Sequence, residues 1–437
     1  MAAGLAFLPD ARTALPRYLL LFAAGSLLAI LAARSLSASG SGPGFLLLAG
    51  ALLRVTLLMR APDLSDDVFR YAWDARVASF GISPYAHAPS DPEVASLALE
   101  AAAAVSHADV RTVYPPVAQA AFRAARGLGE GSLPLKALFA AADLSVVALL
   151  LALGGPGAGF AAALYAFHPL PVTESAGQGH LDSLGIALLL ASLVYLSRRR
   201  SVRAGVAFAL AVMTKYVPLF AALSVVRGAP SSRGKWRFAA AAFAVGAAVW
   251  IAASRTGVSP WGGLSDYAAR WDFNSVAYPA LETLFARTDA PGAAKAAFSS
   301  WEGRPGWMQP AFAFFYAGFF ARAALALVAA AALVTIAWRI RDVETAVFAS
   351  LATLLLVSPT LHPWYLLWIL PFAARARNVA FLYLCSAVVL SYALLYPAGG
   401  LSRSAVYALE YVPFAALLVV PALHGASRRV THHRAMC

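Results

Sequence analysis

Long apolar runs recur along the whole chain instead of gathering in one anchor, and this constrains the fold more than any other feature. A bilayer core offers no water to backbone N–H and C=O groups, so runs of this kind must satisfy those groups internally, as helices. With 61% of residues hydrophobic and 13% charged, the chain reads as an all-α integral membrane protein, a single transmembrane domain over residues 1–437. Lys and Arg outnumber Asp and Glu by 34 to 21. In a polytopic chain that surplus marks one membrane face and headgroup contacts, and it does not point to nucleic acid. Cys385 lies in an apolar run and Cys437 is the last residue, so neither a disulfide nor a thiolate metal site is expected. The first run lacks a small-residue cleavage pattern and is read as a retained span.

Reading each run as a helix predicts spans near 17–35, 43–60, 134–153, 156–175, 180–197, 236–254, 308–338, 343–358, 363–374, 378–396 and 405–424. One further apolar stretch lies between the basic clusters 198–203 and 227–237, and a single crossing would not satisfy both. Splitting it at Lys215 gives two short helices that dip in and return, for a bundle of about 13 membrane helices, with 11 to 13 as the range. The basic clusters at 198–203, 227–237, 338–342, 375–377 and 427–434 fall on one face, assigned as cytoplasmic, of the cytoplasmic (inner) membrane. Two long loops, 61–133 and 255–307, then face outward and carry Pro, Trp, Tyr and the scarce acids, where an extracytoplasmic site would be built. Residues 112–128 read as an amphipathic helix on the membrane surface.

The stretch "SDDVFRY", Ser65 to Tyr71, places adjacent aspartates at the edge of an apolar segment. Helix capping explains it in part: Ser65 as N-cap, Asp66 and Asp67 in the first turn, and a solvated ladder through Arg70 and Asp74. A functional carboxylate pair explains it equally well. A second cluster spans Phe167 to Leu184, where Glu174, His180 and Asp182 surround a Gly-rich turn and His168 adjoins prolines that would kink the preceding helix. The cluster reads as a solvated outer loop or as metal ligands, and the i,i+2 spacing of His180 and Asp182 and the lack of HxxxH or HxxE argue against a metal. Lys215, in "AVMTKYVPLF", is either a ligand-facing charge or a snorkelling lysine. His362, Trp364, Tyr365 and Trp368 form either an interfacial belt or a platform for a sugar or a polyprenyl chain. Residues 266–282 have the make-up of an acceptor or lid segment.

Taken in order, "SDDVFRYAWDARV", "GISPY" and "TVYPP" resemble the first extracytoplasmic loop of the GT-C glycosyltransferases, in particular the bacterial polyprenol-phosphate-sugar-dependent mannosyltransferase group. The resemblance extends through Glu174, Gly177, His180 and Asp182 in an "ExxGxxHxD" pattern, the "KYVP" turn at Lys215-Tyr216, and "HPWY" followed by "WILP". The apolar run ahead of the first motif departs from the pattern. The resemblance implies a GT-C bundle with extracytoplasmic juxtamembrane helices, in which Asp66 is the base and Asp67 orients acceptor or sugar. Phosphate is a good leaving group, so no general acid is needed, and inversion by direct displacement is implied. Donor phosphate and sugar would be held by residues drawn from Arg70, Tyr71, Asp74, Tyr85, Tyr114, Glu174, His180, Asp182, Lys215, Tyr216, His362, Trp364 and Tyr365, with Arg270 a further phosphate candidate.

The implied donor is a polyprenyl-phosphate-linked hexose, mannose first, with aminoarabinose or glucose as alternatives. The acceptor is left open among glycan, lipid and protein, and no cofactor is firmly implied. A transporter or flippase is the reading from another class; it requires two matching halves with broken helices, and no such repeat is visible.

Overall fold

A computed structural model describes residues 2–40, 42–97, 105–255 and 257–434, with side chains up to 419. Residues 98–104 of the first loop, Cys437 and the side chains of the 427–434 cluster lie outside the described residues. Among the described residues there is no named strand; the one β-feature is an isolated bridge between Phe273 and Thr360.

The N-terminal half follows the apolar runs closely. Helix α1 (Leu15–Ser39) starts on Pro16 and stops at Gly40, whose φ of 67° an L side chain resists. It is followed by α2 (Pro43–Leu58), then α3 (Asp67–Ser79) and α4 (Pro116–Arg126), which belong to the first loop, and then α5 (Ser132–Leu153). The apolar face of α4 rests on protein: Phe122 stacks on Tyr71 of α3 at 4.5 Å and meets Phe139 of α5 edge-on. The membrane-surface expectation for 112–128 is corrected on that face.

Prolines break the regular pattern where the next spans were expected. The 156–175 span is a helix of ten residues, α6 (Ala158–Phe167), which ends because Pro169 and Pro171 supply no amide hydrogen. A π-turn, Val172–Gly177, carries the chain to α7 (Asp182–Ser197). The split at Lys215 is present: α8 (Ser201–Thr214) ends on Lys215 in extended conformation (φ −155°, ψ 137°), and short helical turns return through Val217–Ala221 and Ala222–Arg227. Then come α9 (Ser232–Ser254), α10 (Ala317–Arg339) and α11 (Val343–Val357). The expected 363–374 span is a 3-10 turn, Pro363–Trp368, followed by the short helix Leu370–Arg375, since Pro363 and Pro371 interrupt it. Such irregular backbone survives at membrane depth because it is enclosed by protein.

Four helices are long and apolar enough to cross a membrane (Leu15–Ser39, Leu133–Leu153, Ser232–Ser254, Ala317–Arg339), and seven shorter apolar helices accompany them. The expected count of about 13 is not reproduced in this form. Only 6% of the apolar window of α9 is buried inside the protein, which leaves most of that helix for lipid. Deeper in, Arg54 of α2 and Asp143 of α5 pair at 2.5 Å, with Tyr165 donating to the same carboxylate at 2.7 Å. All three are closed off from solvent, so each offsets a desolvation cost the others would otherwise bear alone.

Candidate functional site

The loop that carries the two aspartates is fixed from below by side chains of distant sequence. Lys136 of α5 donates to the Leu57, Leu58 and Arg60 carbonyls, closing the C-terminal end of α2. The amide oxygen of buried Gln178 accepts from three consecutive backbone N–H groups, Asp63 (3.0 Å), Leu64 (2.9 Å) and Ser65 (3.3 Å). Its nitrogen donates to the Asp63 carboxylate at 3.1 Å. Asp63 in turn pairs with Arg60 and accepts from the Ala11 amide, which ties the N-terminal segment to the loop.

Helix α3 begins with Asp67 in its first turn, facing the positive end of the helix dipole. Asp66 occupies the N-cap position but makes no side-chain cap bond. Ser65 Oγ accepts from the Asp67 amide at 3.3 Å, and the Asp66 carboxylate accepts from Ser106 N–H at 3.2 Å. Both carboxylates line a cavity of about 300 Å3. Of the ladder, only the rung from Arg70 to Asp74 is formed, at 2.9 Å. It is buried: Asp74 also accepts from Thr112 Oγ1 and Gln119 Nε2, which makes it a structural anchor for the loop. Arg70 donates to Val110 O and keeps Nη2 without a partner while lining the cavity.

Behind Asp67 stands His180, its Nδ1 3.5 Å from Asp67 and its Nε2 3.4 Å from Glu174. Glu174 lies outside the cavity lining and accepts from Tyr392. Burial pushes the Asp67 carboxyl up, but the His180 ring, with Lys215 beyond it, outweighs that and holds it below the usual value of 3.8. Asp182 is wholly buried and takes hydrogen bonds from Lys215 (2.7 Å) and Trp368 Nε1 (2.6 Å). Lys215 is therefore a partnered charge; it also lies 4.6 Å from the Tyr365 ring and reaches the cavity wall.

The aromatic wall is a column of rings. His180 stacks on Trp364 at 4.0 Å, Trp364 on His362 at 4.3 Å and His362 on Phe273 at 4.5 Å. Burial pushes the His362 imidazole down to about 3, so this ring is neutral and supplies shape instead of charge. Phe273 belongs to the second loop, which crosses the cavity as a strap. Its N–H donates to Pro359 O, its carbonyl accepts from Leu361 N–H, and Gly263 N–H donates to Thr112 O. Tyr267 and Tyr365 join their hydroxyls, and burial pushes Tyr267 up to about 12.

Of the residues expected at the site, Asp66, Asp67, Arg70, Tyr114, Lys215, Tyr216, His362, Trp364 and Tyr365 line this one cavity. Glu174, His180 and Asp182 stand behind it as supports. Tyr71 is packed between Tyr114 and Phe122, and Tyr85 donates to Tyr114 O, so both brace the wall. Arg270 sits apart, exposed, near Asp109 and Asp266. Among the described residues no three His, Cys, Asp or Glu side chains converge as a metal site. Sequence reasoning missed Arg111, Trp271 and Phe220 in the lining and Gln178 beneath it. The glycines flanking Gln178 were the only local signal.

The cavity thus combines carboxylates, cations and an apolar wall. The sequence profile of glycosyltransferase family 87 matches residues 112–359, from the end of the first loop through the spans and strap to the turn before His362. Neither a curated protein nor a solved structure gives a match. The profile covers more than half of the chain, and the protein, all-helical and rich in apolar helices, belongs to glycosyltransferase family 87.

Proposed function

We propose that the protein transfers a hexose, with mannose first, from a polyprenyl-phosphate donor to an acceptor hydroxyl on the extracytoplasmic face of the inner membrane, with inversion. Asp66 takes the acceptor proton as the acceptor oxygen bonds to the anomeric carbon. The bond from that carbon to phosphate breaks, and its electron pair leaves with polyprenyl phosphate. Arg70, with its free Nη2, and Lys215 face the departing phosphate, while Tyr365 offers the sugar an aromatic surface beside the edge of the stacked Trp364.

The observation that carries this reading is the pair of carboxylates in one cavity with those cations. Division of labour between them follows from their partners. Asp67 is braced by His180 and acid-shifted, which suits a group that orients; Asp66 makes no ion pair among the described residues and is free to accept a proton.

The test is transfer or slow hydrolysis of a synthetic short-chain polyprenyl-phosphate-mannose by the full chain, beside Asp66→Asn and Asp67→Asn. Asp66→Asn is expected to lower kcat by about 10²–10⁴-fold with donor binding kept. Full activity in both variants would remove the pair from the chemistry, and turnover of glucose or aminoarabinose donors alone would change the sugar.

A further inference from the structure

A second cluster of unpartnered charge lies at the opposite end of α8 from the cavity. Helix α8 starts at Ser201 and ends against Lys215, so about 20 Å separates the two ends. Beside it runs α9, whose N-terminus at Ser232 lies at the same end. The two helices pack backbone to backbone: a Cβ on Gly205 would stand 2.3 Å from Phe238 O.

Two helix N-termini thus lie side by side, each with its positive dipole end; α9 is capped by Ser231, whose Oγ accepts from Gly234 N–H at 3.0 Å, and α8 has no side-chain cap. Acids normally offset that charge, yet neither first turn contains one. Instead Arg199, Arg200, Arg203, Arg233 and Arg237 line a cup of about 330 Å3 between the two ends. None of the five has an ion-pair or hydrogen-bond partner for its side chain among the described residues. Ser201, only 7% exposed, also lines the cup, and its hydroxyl has no partner among the described residues. A basic face does not require this arrangement. At the same end Arg375 pairs with Glu344 and donates to Gly154 O, so its charge is neutralised within the protein.

We propose that the cup binds the phosphodiester headgroup of an anionic phospholipid. Charge complementarity requires an anion with several acceptor oxygens. A lipid source is favoured over a free phosphate because the cup's neighbours belong to a membrane boundary: Trp236 is 77% exposed and Val202 51% exposed, next to the lining arginines. The acyl chains would lie along the exposed flank of α9.

The experiment is a thermal-unfolding titration of the full chain in non-ionic detergent with phosphatidylglycerol, phosphatidylcholine or inorganic phosphate. Phosphatidylglycerol is expected to raise Tm in a saturable way, and the other two are not. In Arg203→Gln/Arg237→Gln the affinity should fall about fivefold for each arginine removed. Arg339→Gln/Arg341→Gln, at the same end but outside the cup, should bind as wild type does. Both arginine pairs are exposed, and unfolding of each variant without lipid reports its folding. Equal loss in the two double variants would reduce the effect to general surface charge and overturn the site. A matching shift with inorganic phosphate would overturn the lipid assignment, and so would equal shifts from both lipids.

Discussion

At the level of single residues, the chain places its reactive groups in the cavity and braces them with groups that never touch it. Gln178 shows this most clearly, holding three amides of the loop that presents Asp66 and Asp67. Gln178→Leu leaves those donors buried without an acceptor, which costs about 1–3 kcal/mol per group left unsatisfied. The expected result is a lower Tm together with a fall in kcat larger than the change in donor KM, and Gln178→Asn should recover little because its amide falls one methylene short. Unchanged kcat in a folded Leu variant would show that the loop holds its geometry without the contact. Asp66, Lys215 and Trp364 were legible in the sequence because a charge or large aromatic stands out in an apolar background. Gln178 was not, because its partners lie 113 to 115 residues away and a glutamine between glycines carries no local pattern.

Among elements, close approach sets tolerance. Gly185 of α7 faces Trp368, and a Cβ there would lie 2.6 Å from the indole Cη2. Gly185→Val should therefore displace Trp368, remove its hydrogen bond to Asp182 and destabilise the protein by about 1–3 kcal/mol, read as a lowered Tm with altered tryptophan emission. Wild-type values for both would mean that α7 shifts to absorb the methyls. The Lys215 break was legible because basic clusters bound that stretch at both ends, whereas the first span, expected at 17–35, continues to the Gly40 stop. Span limits were misread at 156–175 and 363–374, where hydropathy stays high through prolines that end the helix. Hydropathy measures the solvent a segment prefers, and the hydrogen bonds lost at Pro169 or Pro363 do not register in it.

For the molecule as a whole, acid response and sidedness are the informative measurements. Because the fold lowers the Asp67 pKa, the stability this group contributes is complete above its ordinary value of 3.8 and is lost as pH falls through the lower folded value. His180→Asn removes the main opposing group while leaving burial in place, so the Tm of the variant should begin to fall at higher pH than that of wild type over about pH 3 to 7. Superimposed profiles would show that His180 does not control this carboxylate. From the basic clusters we propose that the cavity opens on the extracytoplasmic side. Asp109→Cys, at a side chain 67% exposed near the cavity mouth, in a background with Cys385 and Cys437 replaced, should react with a membrane-impermeant maleimide in intact cells. Labelling only after lysis would invert the topology.

The stacked rings from His180 through Trp364 and His362 to Phe273 have an optical consequence. An indole held face to face with two imidazoles changes its emission when either ring moves against it. Trp364 therefore serves as a built-in fluorophore whose brightness registers the state of the carboxylate cluster at one end and the seating of the strap at the other. Restoring single tryptophans to a chain stripped of the rest would let light report the occupancy of this cavity without any label.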